Sequence, residues 1–259
     1  MLFSDRARSH YRNSPLHEVI CQLRFPTILS INDNEPAAFQ EQIRADFPLY
    51  ERKQETPPPK LVNGRAEASA PISNYHFFSA DHRWKLNVTR DFIALSTLAY
   101  PDWETFARKF DRPLAYFIQC YQPACFQRVG LRYVNLVSRK KLGVEDREWS
   151  ELIAEAYLGP AGEEDVAEEQ VIACGFDLQL RLDSSCVAKI HAGPGHIRVN
   201  GANAQQDNET KFIFDMDLSM GGDTPCGMAA AALETLHGHS TRLFEGFLTD
   251  TLREAMDAE

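Results

Sequence analysis

Alternating apolar and polar positions open the chain. In His17-Glu18-Val19-Ile20-Cys21-Gln22-Leu23-Arg24-Phe25, every second residue from Val19 is apolar and Pro26 closes the run, the pattern of a strand with one buried face. The period then changes. Phe39, Ile43 and Phe47 recur at helical spacing between Pro36 and Pro48, with Asn34 placed ahead of them, which predicts a short amphipathic helix. Residues 51–73 carry prolines and charges without a period and are expected to form a solvated loop. Strand-like runs at 75–78, 84–89 and 92–97, joined by short polar turns, predict an antiparallel meander. Trp103, Phe106 and Phe110 share a face of the next helix, where Pro113 is expected to introduce a kink before Tyr116, Phe117 and Cys120.

The second half repeats this order. A long strand at 128–137 leads to a helix carrying Trp149, Leu152, Ile153 and Ala156, ended by Gly159-Pro160. Strands are expected at 176–182, at 186–191, at 196–199 after the Gly193-Pro194-Gly195 turn, and at 211–218. Leu233, Leu236, Ser240, Leu243, Phe244, Phe247 and Leu252 then trace one face of a single long helix from about Pro225 to Met256. The whole predicts an α+β protein: an antiparallel sheet or sheets with helices packed on one face, in pseudo-duplicated β-α-β-β-β-α halves over residues 1–123 and 124–259 that form one compact unit. This order of elements resembles the duplicated sheet-and-helix arrangement of TATA-binding-like proteins.

Charge narrows the function classes. With 37 acidic against 27 basic residues and a net charge of −10, the overall field does not attract phosphate backbones, so nucleic acid is disfavoured and only a local basic face would bind it. No basic-then-apolar run opens the chain and no stretch nears the roughly 18 apolar residues of a membrane span, so a cytoplasmic protein with no membrane partner is expected. Six cysteines stand without a C-x-x-C pair and are expected to be reduced, with Cys21, Cys174 and Cys186 acting as small hydrophobes.

Candidate chemistry gathers on the polar phase of the strands. Arg24, Arg128, Arg132, Arg181, Arg198 and Lys211 fall opposite the apolar positions, and guanidinium forks suit phosphate, carboxylate or an acidic surface; pairing with neighbouring carboxylates is the simpler role. Asp215 and Asp217 share a strand face about 7 Å apart, a separation at which they could hold a divalent cation, with Asp177 and Asp183 near. An alternating-charge open face explains them as well. His237-Gly238-His239 cannot chelate one ion from a helix, since positions two apart diverge by about 200°; His237 is expected to be a hydrogen-bonded core histidine and His239 to face solvent. No cofactor motif, metal-ligand spacing or nucleophile elbow appears, so no cofactor and no metal is expected.

Asn13-Ser14-Pro15-Leu16-His17-Glu18-Val19-Ile20-Cys21-Gln22-Leu23-Arg24-Phe25, Phe92-Ile93-Ala94-Leu95-Ser96-Thr97 with Tyr100 and Trp103, and Arg128-Val129-Gly130-Leu131-Arg132-Tyr133-Val134-Asn135 carry a resemblance. These segments, with Phe214-Asp215-Met216-Asp217 and His237, resemble a sporadically distributed family of uncharacterised bacterial proteins of about this length. The resemblance implies no activity and no catalytic residues. Patchy distribution implies genes that travel with mobile elements, antitoxins and antiphage defence components among them. The expectation is a noncatalytic binding protein, the partner of another protein subunit, that uses its charged sheet face. The alternatives are a metal-dependent hydrolase or nuclease built on Asp215 and Asp217, and a nucleic-acid-binding protein.

Overall fold

The opening alternation forms β1 (Leu16–Arg24), whose Val19, Cys21 and Leu23 are fully buried. The computed structural model describes residues 1–56, 60–62, 65–67, 70–196 and 208–257. Two short helices follow, α1 (Leu29–Asp33) and α2 (Ala37–Ile43), burying Ile31, Phe39 and Ile43. The stretch expected to be a loop instead contains β2 (Leu49–Glu55) and two three-residue strands, β3 (Lys60–Val62) and β4 (Arg65–Glu67). Every side chain of β2 is exposed, and the strand is held by backbone pairing to its neighbour from Leu49↔Phe78 to Glu55↔Ile72. A strand with no buried face has no apolar period to betray it.

The meander forms as expected, with β5 (Ile72–Phe78), β6 (Trp84–Val88) and β7 (Phe92–Thr97) pairing antiparallel in turn. Helix α3 (Trp103–Tyr121) starts where Asp102 Oδ1 accepts the Thr105 N–H at 2.6 Å, continues through buried Pro113, and stops at Gln122 in the left-handed region, φ 45°.

The second half contains β8 (Phe126–Val137), α4 (Arg139–Leu142), α5 (Trp149–Leu152), β9 (Phe176–Arg181), β10 (Cys186–Gly195), β11 (Lys211–Thr224), α6 (Ala229–Phe247) and α7 (Asp250–Ala255). Three boundaries differ from expectation. Helix α5 ends early, because Ile153 leaves it to bridge Leu248. The long C-terminal helix is broken at the same contact: the Ala154 N–H bonds to the Phe247 carbonyl, and Thr249 Oγ1 accepts the Leu252 N–H at 3.2 Å to cap α7. Strand β10 runs through Gly193-Pro194-Gly195, where a turn was expected. A Cβ at Gly193 would stand 2.6 Å from the Cys174 carbonyl oxygen, so the glycine serves a close backbone approach. The strand expected at 196–199 and Arg198 lie outside the described residues.

Nine strands form one sheet in the order β2-β5-β6-β7-β1-β8-β11-β10-β9, while β3 and β4 form a separate pair. Two compact units are distinguished, one of residues 1–18, 132–219 and 234–259, the other of 19–131 and 220–233. In the first, Phe214 stacks on Phe247 at 4.2 Å, and Tyr157 meets both edge-on. In the second, Phe39 packs against Phe77 and Phe117. Among the described residues, no helix is long and apolar enough to cross a membrane.

Candidate functional site

Strand alternation sorts β8 to β11 into a buried and an open side. On β11, Phe214, Met216 and Leu218 are buried while Asp215 and Asp217 remain partly exposed. On β10, Ala188 and Ile190 are buried and Lys189 and His191 exposed; on β9 the exposed members are Asp177, Gln179 and Arg181. Arg132 of β8 is exposed between buried Leu131 and Tyr133. Arg132, Asp177, Gln179, Lys189, His191, Asp215 and Asp217 line an open depression of about 470 Å³ in the first unit.

Register and charge fix the contacts within it. His191 stands opposite Asp177 and Lys189 opposite Gln179. His191 Nδ1–H donates to Asp177 Oδ1 at 2.9 Å. Arg132 holds Asp215 with a parallel fork: Nε donates to Oδ1 at 2.8 Å and Nη2 donates to Oδ2. The Asp215 carboxylate thereby pushes the guanidinium pKa upward, and Asp217 and Glu18 act in the same direction. Three aspartates thus stand against one arginine and one lysine, an acidic balance complementary to a basic surface. A cation ligated by Asp215 would have to displace the Arg132 fork.

The other sequence-selected residues lie elsewhere. Arg181 is exposed opposite Val187 and does not line the depression. Arg24 and Arg128 belong to the second unit, where Arg24 Nε donates to Gln22 Oε1 at 3.0 Å and the Arg128 side chain lies over Gly130. His237 shares a hydrogen bond of 2.9 Å with the hydroxyl of Tyr133, whose ring is buried, so it stands away from the charged side. Lys211 Nζ lies 3.4 Å from Glu209.

Two arrangements have no signature in the sequence. Arg139 donates Nη2 to Glu168 Oε1 at 2.7 Å and stacks 4.2 Å from the Trp149 ring centre, while the Trp149 N–H donates to Glu168 Oε2 at 2.8 Å. These groups line a partly open pocket of about 190 Å³ with Tyr157, Cys174 and Phe212. The second arrangement joins Asp183, Cys186 and His239. Asp183 Oδ1 accepts the Ser185 and Cys186 N–H groups, each at 2.7 Å, which holds the carboxyl well below the usual carboxylate range; His239 Nε2–H donates to Oδ2 at 3.0 Å. His239 was expected to face solvent, yet its side chain is 19% exposed because the β9–β10 turn covers it. Asp183 and Cys186 stand three residues apart, but His239 lies 56 residues beyond Asp183, so the set presents no ligand spacing to recognise. Compared with family models and with curated proteins, the chain matches none.

Proposed function

We propose that this chain is a binding protein without catalysis of its own, which holds another protein subunit on the charged face of β8 to β11. The observation that carries this reading is the Arg132–Asp215 fork set in an open depression whose other charges are carried by paired strands. Strand pairing fixes the backbone positions from which these side chains project, which favours recognition of a complementary surface. The partner presents basic residues to Asp177 and Asp217, with an acidic group for Lys189. A protein partner is favoured over nucleic acid because Arg132 is already neutralised by Asp215 and the chain carries a net charge of −10.

The resemblance to a sporadic bacterial family extends the proposal to context: an antitoxin-like subunit or an antiphage-defence component of the cytoplasm, where six unpaired thiols are at home. Duplication fits the sheet order, since β1 lies beside β7 and β8 beside β11, the first strand of each half next to the last strand of its meander. Helices packed on a single face belong to the same reading. The test is isolation of the full chain from its own host under native conditions, followed by cross-linking. A stoichiometric protein partner cross-linked near Lys189 is the expected result. A chain that emerges alone, or a partner joined only elsewhere, overturns the proposal.

A further inference from the structure

The turn between β9 and β10 and the middle of α6 bring a carboxylate, a thiol and an imidazole together. Asp183 Oδ1 is occupied by the turn, through the two backbone N–H groups and the Ser185 hydroxyl at 3.0 Å. Its Oδ2 is turned to His239. Cys186 has the parity of buried Ala188 and Ile190 and is itself fully buried, and its sulfur lies 3.7 Å from Ser185 Oγ, a weak contact. One donor atom from each of Asp183, Cys186 and His239 lies within 4.8 Å of the other two.

We propose that Asp183, Cys186 and His239 form a binding site for a zinc-class divalent cation, with a fourth position open to water or another small ligand. Thiolate and imidazole select such an ion over magnesium or calcium, zinc also accepts the carboxylate, and three protein ligands leave a tetrahedral position free. Zinc bonds of about 2.0–2.3 Å give tetrahedral edges of roughly 3.3–3.7 Å. The Asp183 and His239 donors, now 3.0 Å apart, open by a few tenths of an ångström, and the Cys186 sulfur moves in by at most about an ångström. The turn supplies what an outer shell ordinarily does: N–H groups on Oδ1 orient the carboxylate and leave Oδ2 for the metal.

Protons balance as the ion enters. The Cys186 S–H bond breaks, its electron pair goes to the cation, and the proton leaves to solvent. The His239 proton moves from Nε2 to Nδ1, freeing the Nε2 lone pair. Asp183 and His239 side chains, 37% and 19% exposed, give the cation a route from solvent. This site stands independently of the partner-binding face.

Cobalt(II) titration of the chelator-treated full chain tests the proposal, because a thiolate–cobalt charge-transfer band reports sulfur ligation and intense visible bands report tetrahedral geometry. One cobalt per chain with both signatures, displaced by zinc, is the expected result. His239→Asn and Asp183→Asn, at partly exposed positions, should keep the native circular dichroism and weaken binding at least about tenfold each. Cys186→Ser should lose the charge-transfer band, and Cys174→Ser should keep it. The proposal is overturned if the folded wild type gives no thiolate band at saturating cobalt, if the band survives Cys186→Ser, or if His239→Asn binds as tightly as wild type.

Discussion

Arg132 and Asp215 face each other from neighbouring strands, with Nε 2.8 Å from Oδ1 and the second guanidinium nitrogen on the second oxygen. The arginine is 45% exposed and the aspartate 18%, so solvent screens the pair only in part. Arg132→Met and Asp215→Asn should each lower stability by about 1 kcal/mol, with a coupling of about 0.5–1 kcal/mol in the double variant. Urea unfolding of the four proteins measures it. Strict additivity would mean that the fork does not order this face.

A second ion pair is more deeply set. Glu245 is 2% exposed; it pairs with Arg253, and Tyr11 donates its hydroxyl to both carboxylate oxygens at 3.0 and 3.2 Å. Burial, with the nearby Glu245 charge, pushes the Tyr11 pKa up to about 12. Arg253→Met leaves a buried carboxylate without its cation and should cost about 3–5 kcal/mol, whereas Tyr11→Phe should cost about 1 kcal/mol. Thermal and urea unfolding at neutral pH rank the two.

His76 makes stability pH-dependent. It sits on β5 opposite Glu51 and Asn87, 7% exposed, with both ring nitrogens lacking a hydrogen-bond partner among the described residues. Burial, then Lys85 and Lys53, lower its pKa from the ordinary 6.5, against smaller opposing effects of Glu51 and Glu55. Because the folded value is depressed, the unfolded chain takes the proton first as pH falls. The stability held above 6.5 is therefore lost as pH drops through the folded value. His76→Phe should flatten this part of the stability–pH curve, so that it gains on wild type between pH 7.5 and pH 5. Parallel slopes for the two proteins would exclude His76 as the source.

Gly193 tests the reading of β10 as a continuous strand. Its Cα faces the Cys174–Gly175 backbone too closely for a side chain, so Gly193→Ala should force the two segments apart at a cost of about 1–3 kcal/mol. Gly143→Ala has open space but left-handed backbone at φ 68°, and should cost only about 1 kcal/mol. Comparison of their urea midpoints separates crowding from backbone strain.

The strands of the charged face were legible because β8 and β11 bury one side and β9 half-buries one, and period-two alternation records that burial. The Arg132–Asp215 contact was half visible. Both residues stand on the polar phase, but their pairing depends on β11 lying between its chain neighbour β10 and the sequence-distant β8, and no local pattern encodes the second of these pairings. Strand β2 escaped because all its side chains are exposed, and the break between α6 and α7 escaped because Leu248 is apolar and fits a helical stripe while it serves a bridge to Ile153. Helical phase alone points His239 to solvent. The β9–β10 turn that covers it is a tertiary fact.

The most direct test of the binding role is the affinity of the protein isolated with this chain for wild type and for Asp177→Lys/Asp217→Lys. The double variant reverses the acidic balance while leaving the Arg132–Asp215 fork in place. Binding through this face requires at least a tenfold loss of affinity at unchanged melting temperature, and a steep weakening of the wild-type complex by salt. Equal affinity of the two proteins, with equal salt dependence, would contradict it.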